Sequence, residues 1–186
     1  MKEVWDLCKK LNNPVRMKVL FEIYKRRHDP GMNVGILVDT CRINEPTASE
    51  HLSALSSLGL IQRRRAGRFV NYYPEIKSDN PNIDEIGQLI RERVLENPTD
   101  LSFTKIFPAM MNAFRARAVA FIAKSSGVTL LDLAERYDKE LRLITRDLRP
   151  AVKLGLLSVS AEGADGLYTY NPPSDPIARR IVELSS

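Results

Sequence analysis

Residues 46–73 read PTASEHLSALSSLGLIQRRRAGRFVNYY, a helix, a sharp stop and a basic hairpin in that order. Ala48, Leu52, Leu55 and Leu58 recur at helical spacing, which makes one side of 46–58 apolar. Thr47, Ser49, Glu50, His51 and Ser53 stand between them, polar and free to meet a partner. Gly59 follows the last apolar position, where a left-handed residue commonly ends a helix. Leu60-Ile61 then predicts a strand, and Ala66-Gly67 the turn of a hairpin that returns through Phe69–Tyr73. Arg63, Arg64, Arg65 and Arg68 cluster around that turn with no acid among them.

A helix that fits a groove, beside a cationic hairpin that can lie along phosphates, predicts a winged helix-turn-helix and double-stranded DNA as the partner. The chain then says the same thing twice. NPVRMKVLFEI at 13–23 aligns with NAFRARAVAFI at 112–122, with Asn13/Asn112, Arg16/Arg115 and Ile23/Ile122 identical. Leu52/Leu148, Leu58/Leu154, Gly59/Gly155 and Leu60/Leu156 match at a slightly shorter offset, as loop insertions and deletions would produce. An internal duplication of about half the chain is the simplest account.

The expected fold is therefore mainly α with small β-hairpin wings, an α+β chain of two tandem winged helix-turn-helix domains. Helices are predicted at about 2–12, 14–28, 34–41, 46–58, 82–96, 102–111, 113–125, 129–136 and 139–154. A second wing spans 156–171, and a last helix starts at Pro176 with Asp175 as its cap. Asn82 reads as the cap of 82–96, whose stripe is Ile83, Ile86, Ile90 and Val94. Asn97-Pro98-Thr99-Asp100 breaks that helix and divides a domain at 1–97 from one at 98–186. Pro150 should kink 139–154 into two shorter pieces.

The totals fit this layout. The chain has 186 residues, 44% apolar and 27% charged, with no long apolar run and no apolar signal region at its start. A cytoplasmic location without a membrane partner is expected. Net charge is +5, and Pro98 divides it into +3 and +2, with 16 basic and 13 acidic residues before it and 12 and 10 after it. Cys8 and Cys41 cannot build a disulfide framework and read as reduced core residues.

Residues 10–75 resemble the ArsR family of bacterial and archaeal winged-helix repressors, which includes metal-sensing members. The resemblance rests on LNNPVRMKVLFEI, EPTASEHLSALSSLGLI and RRRAGRFVNYY. It implies that Pro46, Thr47, Ser49, His51 and Leu52 mark a recognition helix. Ordinary members are homodimers, so it also implies a homodimer or, through the duplication, an intramolecular pseudo-dimer. The family's metal sites do not carry over. The helix before the recognition helix offers Cys41 alone, and 82–96 contains no His, so neither a metal nor another cofactor is expected.

Each candidate has a second reading. His51 can donate to a phosphate or a purine acceptor, or can pack as a structural residue. Thr47 and Ser49 can meet DNA or cap the helix start through their hydroxyls. Glu50 departs from the basic or amide residue common in such repressors; it can accept from cytosine but repels phosphates. The four hairpin arginines sit at the usual phosphate-contacting edge. In the second copy the hairpin 158–166 carries Glu162 and Asp165 and no base. Its helix, however, carries Arg142, Arg146, Arg149 and Lys153 along one face, a second DNA candidate or a solvated face partly paired with Glu140 and Asp147. No Gly-rich phosphate loop and no catalytic constellation points to an enzyme. The expectation is a DNA-binding transcriptional regulator; the alternative is a protein-interaction or chromosome-organisation module of tandem winged helices.

Overall fold

The computed structural model describes residues 3–26, 31–161, 163 and 165–185. It is mainly helical with two small three-stranded antiparallel sheets. The chain divides into two compact units, one built mostly from Lys10–Leu101, the other from Val4–Lys9 together with the chain from Ser102 onward.

In the first unit α2 (Pro14–Tyr24), α3 (Val34–Cys41), α4 (Glu45–Leu58) and α5 (Pro81–Glu96) surround a sheet of order β1-β3-β2. β2 (Gln62–Ala66) and β3 (Phe69–Tyr73) form the hairpin, and β1 (Met32–Asn33) adds a short third strand against β3. α1 (Val4–Leu11) precedes them in the chain, but most of it, Val4–Lys9, belongs to the second unit. Asparagine starts all four helices: the side chains of Asn13, Asn33, Asn44 and Asn80 accept from the backbone N–H of Arg16, Ile36, Thr47 and Asn82. Each such cap contributes about 1 kcal/mol. Packing of α2 on α3, α4 and α5 buries Leu20, Ile23, Leu37, Leu52, Leu55 and Ile90.

The second unit repeats the order. A 3-10 turn (Ser102–Ile106) and α6 (Phe107–Met110) lead into α7 (Ala113–Ala123). There follow β4 (Val128–Thr129), α8 (Leu130–Tyr137), α9 (Leu141–Lys153), β5 (Leu157–Val159), β6 (Leu167–Tyr170) and α10 (Pro176–Glu183), with sheet order β4-β6-β5. The local devices repeat too. Asn112 caps α7 as Asn13 caps α2. Arg42 (φ 54°) and Asp138 (φ 47°) end α3 and α8 in the left-handed region, and Gly59 and Gly155 end α4 and α9 at the same φ of 82°. α8 opens with a reciprocal box in which Thr129 and Asp132 cap each other's backbone. The Thr129 hydroxyl first, and its backbone N–H second, donate to the Asp132 carboxylate and hold it below its usual range.

Four local expectations change. Asn80, not Asn82, caps α5, because Pro81 takes the first helical position, where a missing N–H costs nothing. α9 runs unbroken through Pro150. The carbonyl that Pro150 leaves without its usual donor belongs to Arg146, an exposed residue where water can supply the bond. Strand β2 begins at Gln62, so Leu60 and Ile61 are buried connectors from the helix stop. The segment predicted as one helix at 102–111 is a 3-10 turn followed by a single α-turn. Of the predicted helix 14–28, positions 27 and 28 lie outside the described residues, as does Glu162 of the second hairpin. No single helix among the described residues is long and apolar enough to cross a membrane.

Candidate nucleic-acid interface

The N-terminal turns of α4 and the β2–β3 hairpin belong to the first unit, and both leave their polar side chains at the surface. Asn44 satisfies the start of α4 by accepting from Thr47 N–H at 2.9 Å. The hydroxyls of Thr47 and Ser49 are therefore not consumed as caps, and neither has a partner among the described residues. Ser49 is exposed and Thr47 half-buried. Glu50 is exposed (side chain 72%) and lies 3.7 Å from the Arg16 guanidinium, which is largely covered. This loose pair offsets part of the repulsion that a carboxylate would exert on phosphate.

His51 does not sit on the polar side of α4. It is 5% exposed, among the core side chains of the helix. The reason is its register: 48, 51, 52 and 55 follow the i, i+3, i+4, i+7 rule, so His51 occupies an apolar position. Its Nδ1 is buried without a hydrogen-bond partner. Burial and then the nearby Arg16 charge hold its pKa below 6.5, against a smaller opposing pull from Glu50. In this structure His51 is a neutral packing residue.

All four hairpin arginines are exposed, and residues 62–73 contain no acid. Strand alternation puts Arg63 and Arg65 on one face of β2 and Arg64 on the other. Arg64 is engaged: it donates to Glu75 at 2.5 Å, and its guanidinium lies 4.9 Å from the centre of the Tyr73 ring. Arg65 Nε donates to Gly67 O at 3.1 Å, which braces the turn and leaves its other N–H groups outward. Arg68 rests over the exposed Phe69 ring at 5.0 Å. Arg63, Arg65 and Arg68 are thus the available cations. The sequence reading missed Arg42, an exposed cation at the turn between α3 and α4. Its signal is a helix end not marked by glycine, which periodicity does not reveal.

The matching positions of the second unit differ in charge. Asp138 stands where Arg42 stands, and the described part of the β5–β6 hairpin carries Asp165 and no base. Arg142, Arg146 and Arg149 are exposed on α9, but they are not equivalent. Arg146 pairs with Asp147 at 3.2 Å. Arg142 and Arg149 border a groove of about 610 Å³ with Leu141, Val152, Val159 and Tyr168. Burial works to raise the Asp147 carboxyl, but hydrogen bonds from Lys139 and Arg146 outweigh it and hold the group below its usual range.

Arg115 matches Arg16 in the repeat and was legible only as an identity. It is 7% exposed, with Nε donating to Ala109 O at 2.6 Å, Nη1 to Asp147 O at 3.0 Å and Nη2 to Pro108 O at 3.2 Å. It ties α6, α7 and α9 together. Arg16 donates through Nη1 to Lys10 O at 2.6 Å, while its Nε is buried without a partner. Cys8 and Cys41 are buried free thiols, and burial raises both pKa values. Among the described residues no group of three or more His, Cys, Asp and Glu side chains could hold a metal ion. Comparison with family models, with curated proteins and with solved structures finds no match.

Proposed function

We propose that the chain is a DNA-binding transcriptional regulator made of two tandem winged helix-turn-helix units. In this reading α4 enters the major groove and the β2–β3 wing follows the phosphates. One observation carries it: Arg63, Arg65 and Arg68 are exposed on an acid-free hairpin of the unit whose α4 presents uncommitted Thr47 and Ser49 hydroxyls. Hydroxyls can read base edges while guanidinium groups take phosphates, which separates specificity from affinity. The resemblance of 10–75 to ArsR-type repressors agrees with it. DNA reading is assigned to the first unit, with a homodimer or a pseudo-dimer presenting it to an operator.

The test is selection of genomic fragments by the purified chain, repeated with Arg63, Arg64, Arg65 and Arg68 all changed to Ala. A recovered consensus that the variant loses supports the reading. No enrichment over random DNA near physiological salt defeats it. Solution mass measured with and without the selected duplex separates homodimer from pseudo-dimer.

A second reading, a protein-interaction module, is favoured by the second unit. Leu131, Val159 and Leu167 are exposed there beside a hairpin with no described base. A chain that enriches no DNA but captures a defined partner through that unit would decide for it.

A further inference from the structure

Another set of arginines gathers in the first unit, away from the candidate groove-reading face of α4. A pocket of about 230 Å³ is bordered by Arg26 just beyond α2, Arg64 on β2, Tyr72 and Tyr73 on β3, Glu75 after it and Arg91 on α5. Three guanidinium groups border this small space against one carboxylate, and that carboxylate is already bonded to Arg64. Arg26 and Arg91 have no acidic partner among the described residues. Arg91 Nε is moreover buried with no hydrogen-bond acceptor, and a buried charged donor without an acceptor is costly. The neighbouring Tyr24 hydroxyl donates to Leu60 O at 2.9 Å, so its own proton is committed elsewhere. The space is thus bordered by surplus positive charge, and one of its bordering residues, Arg91, holds a donor without an acceptor.

We propose that this pocket is a binding site for a small dianionic oxyanion of the phosphate class, free or as the end of a monoester. Arg26 and Arg91 would be its principal ligands. Guanidinium forks match tetrahedral oxyanions in charge and in paired N–H geometry. The volume lies below the roughly 300–1,000 Å³ of sites for drug-sized ligands, which favours a compact group over a whole nucleotide. Tyr72 and Tyr73 also border the space, and side chains that displace water there strengthen the attraction.

The test is equilibrium dialysis of the full chain against labelled inorganic phosphate, with chloride holding ionic strength constant. Saturable uptake of one equivalent per chain is expected, weakened about tenfold or more by Arg91→Gln and by Arg26→Ala, a loss in the range of one charge-assisted bond. Arg26 is exposed, so its variant keeps the fold, and circular dichroism checks both. Uptake that is not saturable, or that survives both substitutions, overturns the site. Phosphate could also come from a nucleic-acid backbone, and Arg91→Gln separates the sources. An unchanged salt slope of duplex binding supports the free anion; a slope reduced by about one with no uptake of inorganic phosphate overturns it. Dialysis needs no DNA, so failure of the proposed function and failure of this site read out separately.

Discussion

On the proposed reading, the contribution of the β2–β3 hairpin to duplex binding can be dissected by salt. Arg63, Arg65 and Arg68 are exposed without an acidic partner among the described residues, whereas Arg64 is held by Glu75 at 2.5 Å and stacked on Tyr73. Each phosphate neutralised contributes about 0.9 to the slope of log K against log salt. Changing Arg63, Arg65 or Arg68 singly to Ala should therefore lower the slope by about 0.9, and changing all three by about 2.7. Carried to physiological salt, each single loss corresponds to about a fivefold weaker Kd. Arg64→Ala should change the slope by less than half as much, because its charge is already partnered by the Glu75 carboxylate. Glu75→Gln should steepen the slope by releasing Arg64. Fluorescence-anisotropy titration of a selected duplex over a series of potassium chloride concentrations measures all of these. Equal effects from Arg64 and Arg63, or a triple variant that keeps the parent slope, would refute the assignment of wing charges.

The remaining predictions concern the folded units. Arg115→Met leaves three backbone carbonyls without their charged donor and should cost about 3 kcal/mol or more, read by urea unfolding of the full chain; Arg16→Met, with one such bond, should cost less. His51 has a folded pKa below its ordinary 6.5, so as pH falls through 6.5 the unfolded chain takes up the proton first. The first unit should accordingly lose stability from about pH 6.5 downward until the folded-state pKa is passed, and His51→Leu should remove that part of the slope in melting experiments at stepped pH. Gly59 and Gly155 share a φ of 82°, but a Cβ at Gly59 would meet Lys77 O and lie 2.6 Å from Ser78 Cα, whereas at Gly155 nothing lies within 4 Å. Gly155→Ala should cost about 1–2 kcal/mol from backbone conformation alone, and Gly59→Ala clearly more; equal losses in urea melts would contradict the packing of 77–78 on the helix end.

What the sequence disclosed depended on how local the cause was. Helix spans were legible because apolar spacing, the aspartate cap and the glycine stops all act within a turn or two. Asp175 is an instance: its Oδ1 accepts from Ala178 N–H at 3.0 Å where the sequence placed a cap. The one asparagine read as a cap, Asn82, lies two residues past the actual cap, Asn80. β1 and β4 were not legible, since a strand of two residues has no period and exists only through its pairing with β3 or β6. His51 was misplaced by reading polarity in place of register; its spacing from Ala48 and Leu55 already put it on the inner side. Arg115 could be read only as a repeat identity, because its role depends on carbonyls of Pro108, Ala109 and Asp147, the last 32 residues away. Arg91 stayed hidden for the same reason, since its significance comes from what α2, the sheet and Glu75 bring near it.

The recurrence of element order in the two units separates what holds the fold from what varies at the surface. Backbone devices recur in both units: asparagine caps on α2 and α7, left-handed residues ending α3 and α8, and glycines ending α4 and α9 at the same φ. Those are the positions where conformation leaves little choice. Solvent-facing charges do not recur. Arg42 is answered by Asp138, the four wing arginines by Asp165 without a described base, and Ser53 of α4 by Arg149 of α9. Positive charge has thus moved from the hairpin in the first unit to the helix in the second, where Arg142 and Arg149 flank a mainly apolar groove. A cation at the lip of an apolar groove suits an acidic, partly apolar partner better than a duplex, whose backbone offers charge without apolar surface. On the proposed reading, a DNA contact by the second unit would have to run through Arg142, Arg146 and Arg149. Changing those three to Ala should leave the salt slope of duplex binding within about half a unit of the parent. A fall of two or more would return the second unit to the DNA and make the two copies equal readers.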